Sequence, residues 1–373
     1  MKIKLIDNLK IVMSNSESLH DYFAWPSAVR LKNGRIAIAA SGFRLSHICP
    51  FGKTVIAFSE DDGETYTPAA PVIDTVLDDR DAGLCTFGKS GLILTSFNNT
   101  VAFQREIAIS RKTSFWKRRN CDDNPYRLAY LDLVDEETQN KYLGSTFRIS
   151  YDNGVTWSKI YKSPITSPHG PVECKDGTVI WVGRTFDARE TDDCIAAYTV
   201  NTANGEMQYV GRIDNITVDG HTFLSCEPHT VELSDGTLLC HIRVQYKHDG
   251  KKNSIFTIFE SKSSDGGKTW SKPVQLLDDL AGSPPHILIH SSGTLVCTYA
   301  RREEPCGIRV MFSRDNAKTW DTEHILYENG DRPDLGYPAS VELNDGSIMT
   351  IFYDKYVADG PTVILQQKWT FKE

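Results

Sequence analysis

An eight-residue phrase, Ser-x-Asp-x-Gly-x-Thr-aromatic, recurs four times along the chain and constrains its fold more than any other feature. Its copies span residues 59–66, 150–157, 263–270 and 313–320, and the last has Ala317 where the others have Gly. The Asp can accept hydrogen bonds from turn amides, the Gly supplies a left-handed conformation, and the aromatic ring can pack between sheets. A tight turn repeated in this way predicts a fold built from similar units.

A second repeat gives the number of units. Six short turns that contain Asn-Gly, Asp-Gly or Ser-Gly separate apolar runs, and their glycines are Gly34, Gly91, Gly177, Gly236, Gly293 and Gly346. Turns of this kind between alternating apolar runs are strong β-hairpin signals. Six units of one four-stranded antiparallel sheet each predict an all-β, six-bladed β-propeller.

The spacing of these turns predicts how the chain is divided. Gly91 and Gly177 are 86 residues apart, whereas the other intervals are 53 to 59 residues. The long interval predicts an insertion of roughly 30 residues in the second blade. Its expected place is residues 112–141, where the apolar alternation stops and charge rises. The propeller is expected to occupy residues 1–373 as a single domain, with no helix of convincing period.

The two ends of the chain fit a closed ring. Residues 2–13 and 361–371 both read as strands, and the sixth blade has only three strands before residue 373. The N-terminal strand is therefore expected to complete that blade and to remove its open edge.

Composition narrows the classes of protein and partner. The net charge of −8 argues against a nucleic-acid surface. The sequence has neither an 18-residue apolar span nor a signal-peptide core, so no membrane association and no secretion are expected. Nine cysteines without a C-x-x-C pair favour reduced thiols in the cytoplasm and argue against a zinc site. No metal or cofactor is expected, and a homo-oligomer is compatible with the sequence.

Ionisable and aromatic residues recur at one end of the predicted innermost strands. Counting back nine residues from each turn glycine reaches the start of that strand, at Trp25, Ala82, Pro168, Glu227, Pro284 and Tyr337. Two residues further on, the same strand face carries His229 and His286. The returning strands and nearby loops add Arg44, His47, Arg80, Asp81, Arg184, Arg243, Arg301 and Arg309. So much charge at strand ends favours a binding or catalytic site.

The residue types at this mouth predict its chemistry. Arg243, Arg301 and Arg309 can hold a carboxylate through bidentate, charge-assisted hydrogen bonds. Glu227 can accept the phenol proton of Tyr337, whose ordinary pKa of about 10 makes it a poor nucleophile without a base. A neutral nucleophile suits an anionic sugar, because a carboxylate would be repelled by it. Trp25 is expected to stack on a sugar face, and Arg44, Arg80 and Arg184 to contribute further positive charge.

These features resemble the sialidase (neuraminidase) superfamily. The four turn phrases match its Asp-box repeat, and with the six blades the resemblance covers essentially the whole chain. The order Glu227, Arg243, Arg309, Tyr337 is similar to the sialidase arrangement. In that family the Glu activates the Tyr nucleophile, and the two arginines hold the carboxylate of the substrate.

Two motifs of the superfamily differ in this chain. Sialidases begin with Arg-Ile-Pro, and here the corresponding residues are Ala24-Trp25-Pro26. The acid/base Asp of the family has no evident counterpart in the first-blade loop. Either His47 in that loop or Asp81 in blade two is therefore expected to supply the proton.

Three functions are consistent with this sequence. The first is a sialidase-like, retaining glycoside hydrolase that acts on an acidic or related exo-sugar. The second is a uronate-directed lyase that uses His47, His229, Tyr337 and Arg243. The third is a non-catalytic carbohydrate-binding propeller. All three have a carbohydrate as the partner.

Overall fold

Strands dominate the computed structural model, which describes residues 1–110, 124–185, 194–218, 221–247, 254–277, 284–330 and 334–372. They form six antiparallel blades of four strands each, which confirms the predicted all-β, six-bladed propeller. The chain begins with β1 (Lys2–Leu5) and β2 (Lys10–Met13). Blade one contains β3 (Tyr22–Arg30), β4 (Ile36–Arg44), β5 (Lys53–Ser59) and β6 (Ala70–Ile73). Blade two contains β7 (Arg80–Phe87), β8 (Gly91–Phe97), β9 (Ser145–Ser150) and β10 (Tyr161–Ser163).

The innermost strand of blade three is split into two pieces. The blade contains β11 (Ile165–Thr166), β12 (Val172–Glu173), β13 (Val179–Thr185), β14 (Ile195–Val200) and β15 (Met207–Ile213). Both β11 and β12 pair with β13, so they occupy one strand position. A small hairpin of β16 (Thr217–Val218) and β17 (His221–Thr222) follows before blade four.

The last three blades repeat the four-strand order. Blade four contains β18 (Leu224–Glu232), β19 (Leu238–Lys247), β20 (Ser254–Ser263) and β21 (Val274–Gln275). Blade five contains β22 (His286–Ile289), β23 (Leu295–Arg301), β24 (Cys306–Ser313) and β25 (Asp321–Gly330). Blade six contains β26 (Gly336–Glu342), β27 (Ile348–Lys355) and β28 (Thr362–Lys372).

The N-terminal strands complete blade six. Both β1 and β2 pair antiparallel with β28, with Leu5 opposite Trp369 and Lys10 opposite Gln366. The expected closure is therefore confirmed, although the outer strand consists of two short pieces. This pairing covers the edge of β28 that would otherwise present unpaired backbone groups.

The hydrophobic core is divided among the contacts between neighbouring blades. Each contact holds a cluster of buried apolar side chains contributed by the two blades. The aromatic residues of the four Asp boxes pack against these clusters, and they are Tyr66, Trp157, Trp270 and Trp320. The predicted role of these rings between sheets is thus confirmed, and it is structural.

The four Asp boxes share one hydrogen-bonding pattern. In the first, the Asp61 carboxylate accepts hydrogen bonds from the Thr65 amide at 2.8 Å and the Thr65 hydroxyl at 2.6 Å. The Ser59 hydroxyl accepts one from the Gly63 amide at 2.8 Å. The same bonds recur around Asp152, Asp265 and Asp315. The hydrogen bonds from the Thr residues lower the pKa of Asp152 and Asp265 to about 2. These two carboxylates therefore stay ionised, and keep their hydrogen bonds, at neutral pH.

Among the described residues, three helices lie between β8 and β9, where the sequence shows no helical period. They are α1 (Val101–Ser110), α2 (Asn124–Leu131) and α3 (Glu136–Tyr142). The predicted insertion at 112–141 therefore contains α2 and α3, its residues 112–123 lie outside the described residues, and helical structure begins earlier, at Val101. None of the described helices is both long and apolar enough to cross a membrane.

Candidate active site

A β-bulge recurs near the start of the innermost strand in four blades. The register shifts within β3, β7, β18 and β26, and each shift includes one non-glycine residue with positive φ. These residues are Trp25 (φ 54°), Asp81 (48°), Glu227 (49°) and Tyr337 (51°). A left-handed backbone at a non-glycine residue is strained, and such residues cluster at functional sites. The bulges turn these four side chains toward one another.

The hairpin turn of blade two explains why the nine-residue count gives a wrong position there. The nine-residue count from Gly91 reaches Ala82, but the structure places Asp81 at the bulge of blade two. In this hairpin Phe87 pairs with Gly91, and Gly88, rather than Gly91, has positive φ. The turn is therefore shorter than those of the other blades, and the count is displaced by one residue.

Tyr337, Glu227 and Arg243 form a hydrogen-bonded triad. The Tyr337 hydroxyl donates to Glu227 Oε1 at 2.6 Å, and Arg243 donates to Glu227 Oε2 at 2.5 Å. Burial alone would raise the pKa of Glu227, but the charge of Arg243 and the hydrogen bond from Tyr337 outweigh it, so the pKa lies below its ordinary value. Burial and the Glu227 charge raise the pKa of Tyr337 well above 10. At neutral pH the site therefore rests as a neutral phenol against a carboxylate.

Arg302, the neighbour of the predicted site residue Arg301, faces the ring of Tyr337. Its guanidinium carbon lies 5.6 Å from the centroid of that ring. It donates to the Leu335 carbonyl at 3.0 Å and to the Tyr353 hydroxyl at 3.1 Å. The predicted neighbour, Arg301, instead donates to the Glu304 carbonyl at 3.4 Å. Adjacent residues point in different directions, so a one-residue error in strand register selects the wrong arginine.

A cavity of about 320 Å³ opens beside Glu227. Its polar lining contains five of the predicted site residues, which are Arg80, Asp81, Arg184, Glu227 and Arg243. Its remaining lining consists of Ile48, Phe97, Asn99, Phe103, Thr166, Ser167, Pro168, Leu224, Cys226 and Gln245. Tyr337 is only 5 % exposed and does not line this space. Its hydroxyl donates to Glu227, and Glu227 is the residue that lines the cavity.

Asp81 is a buried carboxyl group with incomplete hydrogen bonding. Its Oδ1 has no hydrogen-bond partner among the described residues, although the side chain is only 5 % exposed. Burial raises its pKa to about 7, the charge of Arg80 opposes that rise, and the charge of Glu227 adds to it. A carboxyl group with this pKa can both donate and accept a proton near neutral pH.

His47, the alternative acid/base residue, lies outside the cavity lining. Its Nδ1 is 3.0 Å from Asp334 Oδ1 and 3.1 Å from the Tyr22 hydroxyl. The backbone carbonyl of His47 accepts hydrogen bonds from Arg44 at 2.9 Å and from Arg80 at 3.1 Å. This residue therefore orients Arg80 through its main chain, while its ring belongs to a separate network around Asp334.

Arg44 and Arg309 are not brought to the cavity. Arg44 is completely buried and donates to Asp78 and, at 2.7 Å, to Ser41. Arg309 donates to the carbonyls of Pro305 and Tyr327 and to Glu328 at 3.1 Å. Their guanidinium groups hold the framework of blades one and five. Of the three arginines expected to hold a carboxylate, only Arg243 is among the described lining residues, where it lies with Arg80 and Arg184.

Trp25 has no free face for a sugar. It is 1 % exposed, and the guanidinium carbons of Arg80 and Arg44 lie 4.0 and 4.8 Å from its ring. Tyr337 and His47 make edge contacts with the same ring at 6.4 and 5.0 Å. The expectation that Trp25 stacks on a sugar is wrong, because the residue packs beneath the site and supports Arg80 and Tyr337.

His229 and His286 are buried and do not line the cavity. They stack with ring centroids 4.4 Å apart, and His169, which the sequence analysis did not single out, contacts both at 5.1 and 5.0 Å. Burial lowers the pKa of His169 to about 3 and those of the other two well below 6.5, so all three are neutral. His169 is only 2 % exposed, and neither ring nitrogen has a described partner.

The tautomers of this cluster argue against a metal site. His229 Nδ1 accepts the Ile287 amide at 2.8 Å, and His286 Nδ1 accepts the Ser340 amide at 3.3 Å. A neutral ring that accepts at Nδ1 carries its proton on Nε2, which then cannot ligate a metal. Within the described ranges, no group of three or more His, Cys, Asp or Glu side chains is arranged to hold a metal ion.

A comparison of sequences relates the chain to one family. Residues 131–350 match the family model described as a BNR repeat-like domain. No curated protein matches the chain.

Solved structures share the fold at low sequence identity. A protein of unknown function from Dyadobacter fermentans has a TM-score of 0.74 and 18 % identity, with 99 % of each chain covered. The NanB sialidase from Streptococcus pneumoniae has a TM-score of 0.63 and 13 % identity, over 97 % of this chain and 70 % of that one. An α-L-arabinanase from Penicillium chrysogenum, complexed with arabinobiose, has a TM-score of 0.60 and 14 % identity, over 99 % and 98 %.

Proposed function

Because the chain belongs to the family of proteins with a BNR repeat-like domain, in the sialidase superfamily, we propose that it is a glycoside hydrolase that acts on a sugar with an anionic group. The observation that carries this proposal is the hydrogen bond of 2.6 Å from the Tyr337 hydroxyl to Glu227. A carboxylate held ionised by Arg243 is the base that a buried phenol needs to become a nucleophile.

The proposed reaction proceeds in two steps with retention at the anomeric carbon. Once the Glu227 carboxylate moves from between the cavity and the Tyr337 hydroxyl, Tyr337 attacks that carbon while Glu227 accepts the phenol proton, and Asp81 donates its proton to the leaving oxygen. A glycosyl-tyrosine intermediate and an alcohol result. Asp81, now a carboxylate, then takes a proton from water, the water oxygen displaces the tyrosine oxygen, and Glu227 returns its proton to Tyr337. General acid–base help of this kind contributes about 10²–10⁴-fold to the rate.

The positive charge of the cavity supports an anionic substrate. Arg80, Arg184 and Arg243 line it, and Arg302 stands beside Tyr337. Only Asp81 and Glu227 oppose them among the described lining residues, and Asp81 is partly protonated near pH 7. Guanidinium groups bind carboxylates and other planar anions through paired hydrogen bonds. The Penicillium neighbour is complexed with a neutral sugar, so a neutral glycoside is the informative comparison.

Hydrolysis is favoured over elimination by the position of the histidines. None of the histidines in the described ranges lines the cavity, whereas Asp81 and Glu227 both do. An elimination would need a base that reaches the proton next to the carboxylate of a uronate.

The proposal is tested with 4-methylumbelliferyl glycosides of N-acetylneuraminic acid, glucuronic acid and arabinofuranose. Release of fluorophore with free sugar is expected for an anionic member of the panel. Ultraviolet absorbance of a new carbon–carbon double bond would instead identify a lyase. Tyr337→Phe and Glu227→Gln are measured alongside wild type, and full turnover in both variants would overturn the assignment of the nucleophile pair.

A further inference from the structure

We propose that the helical insertion of blade two supplies the aromatic wall of the sugar site, with Phe103 as its specificity-determining residue. The inference rests on the proposed function, because it takes the occupant of the cavity to be a sugar residue. The insertion would then decide which sugars are accepted, while Glu227 and Tyr337 decide what happens to them.

The wall begins where β8 ends and continues into α1. Phe97 is the last residue of β8, Asn99 follows it, and Phe103 lies on α1, and all three line the cavity. The Phe103 side chain is 39 % exposed. A sugar ring has an apolar face of C–H groups and a polar edge, so it fits an aromatic surface set beside hydrogen-bonding groups.

Within the described cavity lining, aromatic surface comes only from the insertion and from the end of β8. Trp25, the expected platform, is covered by Arg80 and Arg44. Among the described lining residues the aromatic ones are Phe97 and Phe103. A sugar in this cavity therefore meets an aromatic ring at the insertion.

The helices are held firmly enough to form a pre-shaped wall. Arg127 on α2 donates to Ser46 Oγ at 2.9 Å and to the Ile48 carbonyl at 3.0 Å, and Ile48 itself lines the cavity. Phe51 stacks on Tyr126 of α2 with ring centroids 4.8 Å apart.

At the base of α1, the Val101 amide donates to the Gln139 side chain of α3 at 2.7 Å. Gln104 of α1 donates to the Asn99 carbonyl at 2.8 Å. These bonds join α1 to α3 and to the end of β8. A wall fixed on both sides loses little freedom when a ligand binds.

Three polar side chains of the cavity lining hold buried atoms that lack hydrogen-bond partners among the described residues. Arg80 Nε, Asp81 Oδ1 and Arg243 Nε are buried atoms without a partner among the described residues. Buried polar atoms are normally satisfied, so lining side chains that hold unsatisfied atoms suit a ligand rich in oxygens. In this proposal the occupant presents its anionic group and hydroxyls to these side chains and its C–H face to Phe103.

The cavity volume suits about one sugar residue. At about 320 Å³ it lies at the lower end of the range of ~300–1,000 Å³ for small-molecule sites. We therefore expect action at the end of a glycan chain, with the terminal anionic residue between Phe103 and Arg243.

The test measures sugar binding separately from turnover. Phe103→Trp, Phe103→Leu and Phe103→Ala are made in the Tyr337→Phe background, which leaves the cavity lining unchanged. Titration calorimetry then measures Kd for the methyl glycosides of N-acetylneuraminic acid and glucuronic acid. Leu133→Ala is the matched control, because Leu133 is an 83 % exposed apolar residue of the same insertion that does not line the cavity.

The expected result is a Kd that rises about threefold to tenfold in Phe103→Ala and Phe103→Leu, the usual contribution of an aromatic contact. Phe103→Trp should bind at least as well as Phe103, and Leu133→Ala should not change Kd. Equal Kd values for Phe, Leu and Ala at position 103 would overturn the platform but leave the hydrolase proposal standing. Full turnover by Tyr337→Phe would overturn the hydrolase mechanism, while the Kd series still tests Phe103. Failure of both glycosides to bind would overturn the platform.

Discussion

At the scale of single residues, the site depends on a shared backbone distortion. Asp81, Glu227 and Tyr337 have φ values of 48°, 49° and 51° at equivalent bulges in three blades. Each such conformation costs about 1–3 kcal/mol and persists only where surrounding structure enforces it. Trp25 has the same conformation in blade one but contributes packing instead of an ionisable group. The bulge is thus a structural device of the fold, and the residue type at each bulge determines its chemistry.

Tyr337→Phe is expected to remove turnover while preserving the fold. The substitution deletes the nucleophilic oxygen and its hydrogen bond to Glu227 but keeps the ring that packs against Trp25. We expect kcat to fall at least about 10²-fold and stability to change by about 1 kcal/mol. Steady-state kinetics and thermal unfolding check this, with Tyr66→Phe as a control that removes a phenol hydroxyl in an Asp box. Near-normal kcat would contradict the role of Tyr337.

Asp81→Asn is expected to change the pH profile. Since the pKa of Asp81 is about 7, the group is protonated and able to donate below that pH and ionised above it. Wild-type kcat/KM should therefore fall as pH rises through about 7. The Asn variant cannot donate, so we expect a rate about 10²–10⁴-fold lower and without that alkaline limb. A profile of kcat/KM from acid to alkaline pH measures this effect. An unchanged alkaline limb in the variant would mean that a group other than Asp81 donates the proton.

At the scale of strands, two arginines in neighbouring blades have different roles. Arg243 on β19 lines the cavity and donates to Glu227, whereas Arg309 on β24 donates to carbonyls of blade five. We expect Arg243→Ala to raise KM for an anionic glycoside by about 10-fold or more, because a charge-assisted hydrogen bond contributes about 1.5–3 kcal/mol. The ratio of KM values for anionic and neutral glycosides measures this effect.

Arg309→Ala is the matched variant for that comparison. It should lower the thermal unfolding temperature, since it leaves the carbonyls of Pro305 and Tyr327 without these donors. It should not change the preference for the anionic glycoside. If both variants changed that preference equally, the separation of Arg309 from the site would be wrong.

The strands were predictable from the sequence because their turns repeat. Six glycine turns and four Asp boxes fix the number of blades, and closure by β1 and β2 follows from the missing strand. The helices were not predictable in the same way, because α1 buries only Gln104 and Ala108 and so has no continuous apolar stripe.

The site was predictable in type but not in every residue. Glu227, Arg243, Arg184, Arg80 and Asp81 line one cavity, but Arg302 and Phe103 were missed. A bulge or a short turn shifts strand register by one residue, and no sequence count detects that shift. This exchanges Arg302 with Arg301 and Asp81 with Ala82. Arg309 was misplaced because the count does not show which carbonyls a long side chain will reach.

At the scale of the whole molecule, the buried histidine cluster makes the stability of the fold depend on pH. His169, His229 and His286 come from blades three, four and five, and burial holds each pKa below the ordinary value. For a histidine with a lowered folded pKa, the unfolded chain binds the proton more tightly below about pH 6.5. The contribution of the cluster to stability is therefore complete above that pH and is lost as the pH falls.

His169→Gln is expected to reduce this dependence. Each titrating histidine contributes about 1.4 kcal/mol per pH unit, from about pH 6.5 down to its folded pKa, which is about 3 for His169. The free energy of unfolding, measured by denaturant titration between pH 4 and 8, should fall less steeply in the variant than in wild type. His20→Gln is a control, because His20 lies outside the cluster. Parallel curves for wild type and His169→Gln would contradict the assignment.

The ring closes in blade six, where β1 and β2 pair with β28 through hydrogen bonds and without a covalent bond. Lys4 and Thr370 are opposite each other in the pairing of β1 with β28. Opposed antiparallel residues have Cβ atoms about 4.5–5.5 Å apart, which a small shift brings within disulfide range. Lys4→Cys with Thr370→Cys should therefore oxidise readily, and the eight described native cysteines are buried and free.

A disulfide at this seam should stabilise the propeller by about 2–4 kcal/mol, because it restrains the unfolded chain across almost its whole length. We expect the oxidised double variant to unfold at a Tm about 3–5 °C above its reduced form, with the bond verified by mass spectrometry. The reduced variant is the control, since it carries the same substitutions without the bond. If the bond does not form in the folded protein, β1 is not paired with β28 in solution. In that case β2 would still cover part of β28, but the edge from Trp369 to Lys372 would present unpaired backbone groups.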